Sequence, residues 1–184
     1  ILFSVGGEHL VTYPLVEAYY KKYKDELVIL HFDAHTDLRD DYMGEKLSHA
    51  SVIKRIYDMV GRDKIYQFCI RSGEKDEFSY HEKGIFQEKF KFTKLEEIIE
   101  KIKGRPVYVT IDLDVLDPSI FSGTGTPEAG GINFHEMLDL IKVLKNAKIV
   151  GADVVELSPH YDQSGVSTAV ACKIIRELTF AILK

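Results

Sequence analysis

Residues 27–37, with the sequence LVILHFDAHTD, decide the fold class of this chain. The first half is an apolar run, and the second half places Asp33, His35 and Asp37 directly after it. A strand that is apolar on both faces is typical of a parallel sheet covered by helices on both sides. Ligands of such sheets bind beyond the carboxyl ends of the strands. We therefore interpret the polar second half as the start of a functional site.

The rest of the chain repeats this alternation of buried strands and amphipathic helices. A helix at 93–103 is predicted from a possible capping box in Thr93-Lys94-Leu95-Glu96, and one at 133 from Asn133 to Glu136. The pattern predicts an α/β fold, specifically three α/β/α layers around a mainly parallel sheet. Strands are predicted at 1–5, 27–32, 65–70, 106–113 and 148–155, and helices at 12–24, 50–60, 74–81, 93–103, from 133, and 168–183.

Composition limits the possible partners and compartments. The chain has 184 residues and a formal net charge of −5, with no stripe of lysine and arginine, so no nucleic-acid partner is expected. No apolar run reaches the ~18–20 residues needed to cross a bilayer, and no signal peptide is apparent, so no membrane partner is expected. Both cysteines, Cys69 and Cys172, lie in apolar segments and are predicted to be buried thiols. We expect a cytoplasmic protein.

Residues able to bind metal ions follow four of the predicted strands. They lie in Gly6-Gly7-Glu8-His9, in the 33–37 segment, in Asp112-Leu113-Asp114 and in the segment from Asp153 to Glu156. Alternation along a strand predicts that Asp112 and Asp114 share a face, as do Asp33 and His35. Each short motif, taken alone, can also be explained by a structural role as a helix cap, a turn or a surface ion pair. Their joint occurrence at strand ends favours a metal site.

Four aspartates at one sheet edge would repel one another without cations. Two divalent ions would balance them, and a mixed carboxylate and imidazole set suits Mn²⁺. Two metals ~3.5–4 Å apart can lower the pKa of a shared water molecule toward neutrality. His31 is expected to be a hydrogen-bonded strand histidine, and Asp153 to support the site or the packing rather than to bind metal.

Six segments together resemble the ureohydrolases, the family of arginase and agmatinase. They are GGEH (6–9), DAHTD (33–37), SHAS (48–51), IDLDVLDPS (111–119), GTGTPEAGG (123–131) and DVVELSP (153–159). The resemblance runs from residue 4 to about residue 180. It implies an arginase/deacetylase-like sandwich, a centre with two Mn²⁺ per chain, and hydrolysis of a guanidino group to an amine and urea.

The resemblance also implies a role for individual residues. One manganese would be held by His9, Asp33, Asp37 and Asp112, and the other by His35, Asp33, Asp112 and Asp114. Asp37 would also pass a proton to the leaving amine. Glu156 would anchor the guanidinium group, and His49 would shuttle protons. No further cofactor is implied.

The resemblance implies that the substrate is a small guanidino compound, and agmatine is favoured because the SHAS and GTGTPEAGG segments look most like agmatinase. The chain would then be a manganese-dependent ureohydrolase that converts agmatine to putrescine and urea, in polyamine biosynthesis. Arginine and other guanidino acids stay open, since Arg39 would be able to bind a carboxylate. The family resemblance also implies a homo-oligomer, a trimer or hexamer.

Two other classes of protein compete with this interpretation. A deacetylase on a related fold would use one zinc ion and fewer ligands, and a catalytically silent homologue would serve regulation or assembly. We expect residues 1–184 to form one ureohydrolase-like catalytic domain that is short at its N-terminus, since family members usually carry a substantial region before the first motif.

Overall fold

A computed structural model describes residues 1–183 of the chain. Six strands form one sheet in the order β1-β6-β5-β2-β3-β4, and every neighbouring pair is parallel. The predicted parallel α/β architecture is therefore confirmed. The strands are β1 (Leu2–Val5), β2 (Val28–Phe32), β3 (Ile65–Ile70), β4 (Phe86–Lys89), β5 (Val107–Asp112) and β6 (Ile149–Val155).

Helices cover both faces of the sheet, which gives the expected three layers. Along β2, Val28, Leu30 and Phe32 join one apolar cluster, and Ile29 joins the other. The first cluster contains residues of α4, α5 and α6, and the second contains residues of α1 and α2. The helices are α1 (Thr12–Tyr23), α2 (Val52–Val60), α3 (Lys75–Phe78), α4 (Leu95–Lys101), α5 (Phe134–Leu144) and α6 (Val166–Ile182).

Local signals explain where most of these elements begin and end. Asn133 caps α5 by accepting hydrogen bonds from the His135 and Glu136 amides, and Glu136 completes the predicted capping box. Gly61 ends α2 with a φ of 78°. The capping box predicted at Thr93 is wrong, because the Thr93 hydroxyl and amide both donate to Glu88 instead, and α4 begins only at Leu95.

One strand was missed, and one further expectation is corrected. The edge strand β4 was not predicted, because Phe86-Gln87-Glu88-Lys89 is half-buried and polar and has no apolar run. Cys69 is buried as expected, but Cys172 is exposed because it lies on the outer side of α6. Among residues 1–183, no helix combines the length and apolar character needed to cross a bilayer.

The strand order places a crevice between β2 and β5. The chain runs outward from β2 through β3 to β4, returns to β5 on the other side of β2, and continues outward to β6. Connections from the two central strands therefore diverge, which opens a cleft at their carboxyl ends. Asp33 directly follows β2 and Asp112 ends β5, so both carboxylates lie at this cleft.

Candidate metal centre and active site

All six predicted metal ligands converge at this cleft. His9 lies on a 3₁₀ turn (His9–Val11) after β1, and Asp33, His35 and Asp37 follow β2. Asp112 is the last residue of β5. Asp114 reaches the cleft from a 3₁₀ turn (Leu113–Val115), so the expectation that strand alternation aligns it with Asp112 is wrong in its mechanism. The turn still directs both side chains to the same side.

His9 faces three carboxylates. Its Nδ1 atom lies 3.2 Å from Asp33 Oδ2, 3.1 Å from Asp37 Oδ2 and 3.1 Å from Asp112 Oδ2. The residue is 1% exposed, and Nδ1 has no hydrogen-bond partner of acceptable geometry. A buried ring nitrogen among three carboxylate oxygens needs a positive charge, either a ring proton or a metal ion, because a lone pair and carboxylate oxygens repel one another. The donor set at this point therefore fits a divalent metal ion.

A hydrogen-bonded chain below His9 fixes its tautomer. Asp153 is buried and accepts from the Thr110 hydroxyl at 2.6 Å and from the Tyr108 hydroxyl at 2.6 Å. Because Thr110 donates its only hydroxyl proton to Asp153, its oxygen accepts from His9 Nε2 at 3.0 Å. Nε2 therefore carries a proton, and in the neutral ring the Nδ1 lone pair is directed at the carboxylates. Asp153 thus supports the site from outside the ligand set, as expected.

His35 forms the second half of the cluster. Its Nδ1 atom lies 2.9 Å from Asp114 Oδ2 and 3.4 Å from Asp33 Oδ1. The other Asp33 oxygen, Oδ2, faces His9, so one carboxylate lies between the two histidines. The Ala34 amide donates to Asp114 Oδ1 at 3.0 Å and orients that side chain. Asp33, His35 and Asp114 form one possible metal-binding group, and His9, Asp33 and Asp37 belong to another.

His31 is the fourth member of the group that contains His9, Asp33 and Asp37, but it is not available as a ligand. Its Nε2 atom is 2.8 Å from Asp33 Oδ2, and its Nδ1 atom is 2.9 Å from Gln67 Nε2. Both ring nitrogens are therefore occupied, which confirms the expected hydrogen-bonded strand histidine. Burial lowers the pKa of His31 in spite of the neighbouring Asp33, which favours the neutral ring.

The electrostatics of the cluster show that it requires positive charge. Burial and neighbouring aspartates raise the pKa of Asp112 and Asp114, and they raise the pKa of Asp37 to about 7. Burial opposes a charge on His9 and on His35, but the neighbouring carboxylates outweigh it. They raise the pKa of His9 well above its usual range and that of His35 to about 12. The metal-free cluster therefore holds protons in the places where metal ions would neutralise it.

Two site residues have left-handed backbone conformations that residues other than glycine rarely adopt. Asp37 has a φ of 53° and Glu156 a φ of 66°. The turn at Asp37 is held by the buried Glu77, whose Oε1 atom accepts from Thr36 Oγ1 at 2.7 Å and from the Leu38 amide at 2.9 Å. Such strained positions cluster at functional sites, where the surrounding structure enforces them.

A cavity of about 280 Å³ opens above the metal cluster. Glu156 lies on its wall, and its Oε1 atom accepts from the His9 amide at 2.6 Å. His49 lies on the same wall, 42% exposed, with Nδ1 at 3.4 Å from Glu8 Oε1 and its ring against Tyr42. The three residues predicted to be catalytic, Asp37, His49 and Glu156, therefore share one cavity.

The side of the cavity away from the metal cluster carries charge of both signs. Arg39 contacts Glu74 at 3.2 Å, and Glu77 lies 4.0 Å from its Nε atom. The guanidinium also lies over the Tyr42 ring. Arg39 is therefore already paired in this structure, and carboxylates predominate at this end of the cavity.

The 115–132 loop closes the His35 side. Asp117 Oδ2 accepts from the Gly130 and Gly131 amides at 2.9 and 3.2 Å. A Cβ on Gly131 would lie 2.5 Å from the backbone of Leu116 and Asp117, so only glycine fits. This packing brings Glu128 Oε1 to 4.0 Å from His35 Nε2.

Several residues at this site were not identified from the sequence. Thr110 and Gln67 lie in the middle of strands whose neighbouring residues are apolar. Glu77 and Glu128 lie in segments whose polar sequence is typical of a protein surface. A polar residue inside a fully buried strand was a usable signal, because such a group needs a partner. Glu77 offered no comparable signal.

Comparisons with known proteins agree with this geometry. A family described as "Arginase family" matches residues 1–181. The agmatinase of Bacillus anthracis is 49% identical over 98% of this chain and 63% of its own length. The mitochondrial guanidino acid hydrolase of Homo sapiens is 33% identical over 100% of this chain and 55% of its own length. A crystal structure from Clostridium difficile superposes with a TM-score of 0.94 at 54% identity, over 98% of this chain and 66% of that one. The chain thus spans less than two thirds of the length of these relatives.

Proposed function

This chain belongs to the arginase family, and on that premise we propose that it forms the catalytic core of a manganese-dependent ureohydrolase that converts agmatine to putrescine and urea. The observation that carries the proposal is the buried cluster of six ligand side chains, in which three carboxylates face the unpartnered His9 Nδ1 atom and His35 faces Asp33 and Asp114. The agmatinase relatives support the choice of reaction.

The ligand set supports two manganese ions. His9, Asp33, Asp37 and Asp112 would hold one ion, and His35, Asp33, Asp112 and Asp114 the other. The position of Asp33 supports sharing, because its two oxygens face the two histidines. Imidazole and carboxylate without thiolate favour Mn²⁺ over softer metals. When bound, the two ions would supply a water molecule whose pKa is lowered enough for it to act as a nucleophile near neutral pH.

The protein's own side chains would place and protonate the substrate. Glu156 would pair with the guanidinium group through its Oε2 atom, because Oε1 is held by the His9 amide. Burial raises the pKa of Glu156 because the carboxylate loses solvation there, and a cationic guanidinium group would offset that loss. Asp37 would accept a proton from the attacking water and transfer it to the leaving amine. His49, at the solvent-exposed mouth, would exchange protons with water, which suits an imidazole.

The charged residues at the end of the cavity away from the metal cluster favour agmatine over a guanidino acid. Agmatine ends in a cationic amine, whereas a guanidino acid ends in a carboxylate. Arg39 is paired with Glu74, and Glu77 lies beside it, so an ammonium group would meet carboxylates at this end of the cavity. A guanidino acid is the second candidate, because Arg39 lies on the cavity wall and relatives include a human guanidino acid hydrolase. It would have to draw Arg39 away from Glu74.

Urea release after Mn²⁺ loading tests the proposal. Agmatine, L-arginine and 4-guanidinobutyrate would be compared at equal concentration, with the Glu156→Gln variant as the control for guanidinium binding. Agmatine should be the preferred substrate, and the variant should lose most activity while keeping its metal. Urea from 4-guanidinobutyrate alone would establish the second candidate. Urea from none of them, with metal bound, would overturn the proposal for this chain and favour a silent homologue.

The metal content of the purified protein distinguishes the proposed function from a deacetylase. A deacetylase-type centre would bind one zinc ion per chain, whereas the present proposal requires two manganese ions. The homo-oligomeric state and cytoplasmic location expected from the sequence stay predictions, and sedimentation of the purified protein would check the first.

A further inference from the structure

Polar side chains form a row across all six strands, one pleat below the metal cluster. Strand pairing joins Ser4 to Asp153, Asp153 to Thr110, Thr110 to His31, His31 to Gln67, and Gln67 to Gln87. We call these six residues the polar row. Asp33 and Asp112 lie two residues beyond His31 and Thr110, so the row lies directly beneath candidate metal ligands.

One half of the polar row forms a directed chain of hydrogen bonds. Gln87 Nε2 donates to Gln67 Oε1 at 2.8 Å. Gln67 Nε2 donates to the Thr36 carbonyl at 2.7 Å and lies 2.9 Å from His31 Nδ1. His31 Nε2 lies 2.8 Å from Asp33 Oδ2. The chain thus leads from the edge strand β4 to the carboxylate between the two histidines.

The protons in this chain can be assigned from its fixed acceptor. A backbone carbonyl only accepts, so the Gln67 atom facing Thr36 is the amide nitrogen. The same nitrogen faces His31 Nδ1, which must therefore accept and carry no proton. The ring proton of His31 is then on Nε2, where it donates to Asp33.

We propose that His31 is a positioning residue: locked by Gln67 and Gln87, it holds the Asp33 carboxylate so that one oxygen faces the His9 side of the cluster and the other faces the His35 side. Asp33 Oδ1 is held in turn by the His35 amide at 2.5 Å. A donor on each oxygen prevents rotation of the carboxylate. The inference rests on the metal centre of the proposed function.

Loss of the His31 donor should weaken metal binding more than it changes the fold. Hydrogen-bond partners of metal ligands typically contribute about 10–100-fold to metal affinity or activity. Because Asp33 lies between both halves of the cluster, the loss should affect both metal sites rather than one.

His31→Met and His31→Gln form the decisive pair of variants. The two side chains have nearly the same length and shape, but only glutamine offers an N–H donor to Asp33. Titration calorimetry should show Mn²⁺ binding weakened by about 10–100-fold in His31→Met, and at least half of that loss recovered, on a logarithmic scale, in His31→Gln. Leu30→Val, a neighbouring change in the same buried strand, is the control and should leave the affinity unchanged.

The outcomes separate the two proposals. Equal affinity in His31→Met and wild type, or equal loss in the methionine and glutamine variants, would overturn the positioning role and leave the proposed function standing. Absence of divalent-metal binding by the wild type would overturn both. If neither variant folds, nitrogen NMR of the histidine-labelled, metal-free wild type decides. A proton on His31 Nε2 and none on Nδ1 supports the role, and the opposite tautomer overturns it.

Discussion

Replacing Thr110 by valine should disconnect His9 from the chain that fixes its tautomer. The substitution keeps the shape of the side chain but removes the hydroxyl that donates to Asp153 at 2.6 Å and accepts from His9 Nε2 at 3.0 Å. All three groups are buried, so water cannot replace the hydroxyl. Without an acceptor at Nε2, a proton on His9 Nδ1 competes better with a metal ion.

The size of the effect follows from these contacts. A hydrogen bond to a charged group contributes about 1.5–3 kcal/mol, so the metal-free variant should lose about that much free energy of unfolding. Manganese affinity should fall by about 10–100-fold, as for other partners of metal ligands. Thr110→Ser is the matched control, because it keeps the hydroxyl and loses one methyl group, which is worth about 0.8 kcal/mol.

Urea denaturation of the metal-free proteins and calorimetric titration with Mn²⁺ measure the two quantities. Thr110→Val should be the less stable variant and the weaker metal binder, and Thr110→Ser should bind metal like the wild type. Equal manganese affinity in the valine and serine variants would refute the assignment of the His9 tautomer through Thr110.

Four further predictions follow from the site. Removing Mn²⁺ with a chelator should lower the thermal midpoint, since a ligand at 100 times its Kd contributes ~2.7 kcal/mol, and a midpoint that does not depend on metal would contradict this. Metal affinity should fall as the pH falls, by about tenfold per pH unit for each displaced proton. The reason is that the pKa of His35 is raised to about 12, so Mn²⁺ must displace a proton from this ring. Calorimetry in two buffers of different ionisation enthalpy counts the protons that are released. Glu74→Gln should free Arg39 and shift kcat/KM from agmatine toward 4-guanidinobutyrate by a factor of about 2–5, whereas Glu17→Gln, at a distant exposed ion pair, should not. Gly131→Ala should cost about 1–3 kcal/mol of stability in denaturant titration, because its Cβ would overlap the Leu116 and Asp117 backbone.

Much of the fold was predictable because its signals are local. Buried parallel strands such as 65–70 are largely apolar and are buried on both faces, and the Asn133 capping box lies within four residues. The edge strand β4 was missed because only one side of it is paired and its residues are half-buried. The false capping box at Thr93 had a suitable local pattern, but Glu88 on β4 competes for the Thr93 hydroxyl.

The candidate ligands were predictable because they lie at or just after strand ends, and Asp153 was expected to support them, but the hydrogen-bond partners that connect the supporting residues were not predictable. Thr110, His31 and Gln67 line up only through the register of β5, β2 and β3, which are far apart in sequence. Strand register is set by pairing and packing of the whole sheet, so no single segment reveals it. Convergence of Asp114 with Asp112 was predicted from strand alternation, although a 3₁₀ turn produces it.

An anomalous-scattering map at the manganese absorption edge, from crystals of the Mn²⁺-loaded protein, tests the central claim most directly. Two peaks are predicted about 3.5–4 Å apart, one beside His9 and one beside His35, with Asp33 between them and His31 bound to neither. A single peak, or a peak coordinated by His31, would contradict the two-metal centre from which the proposed function follows.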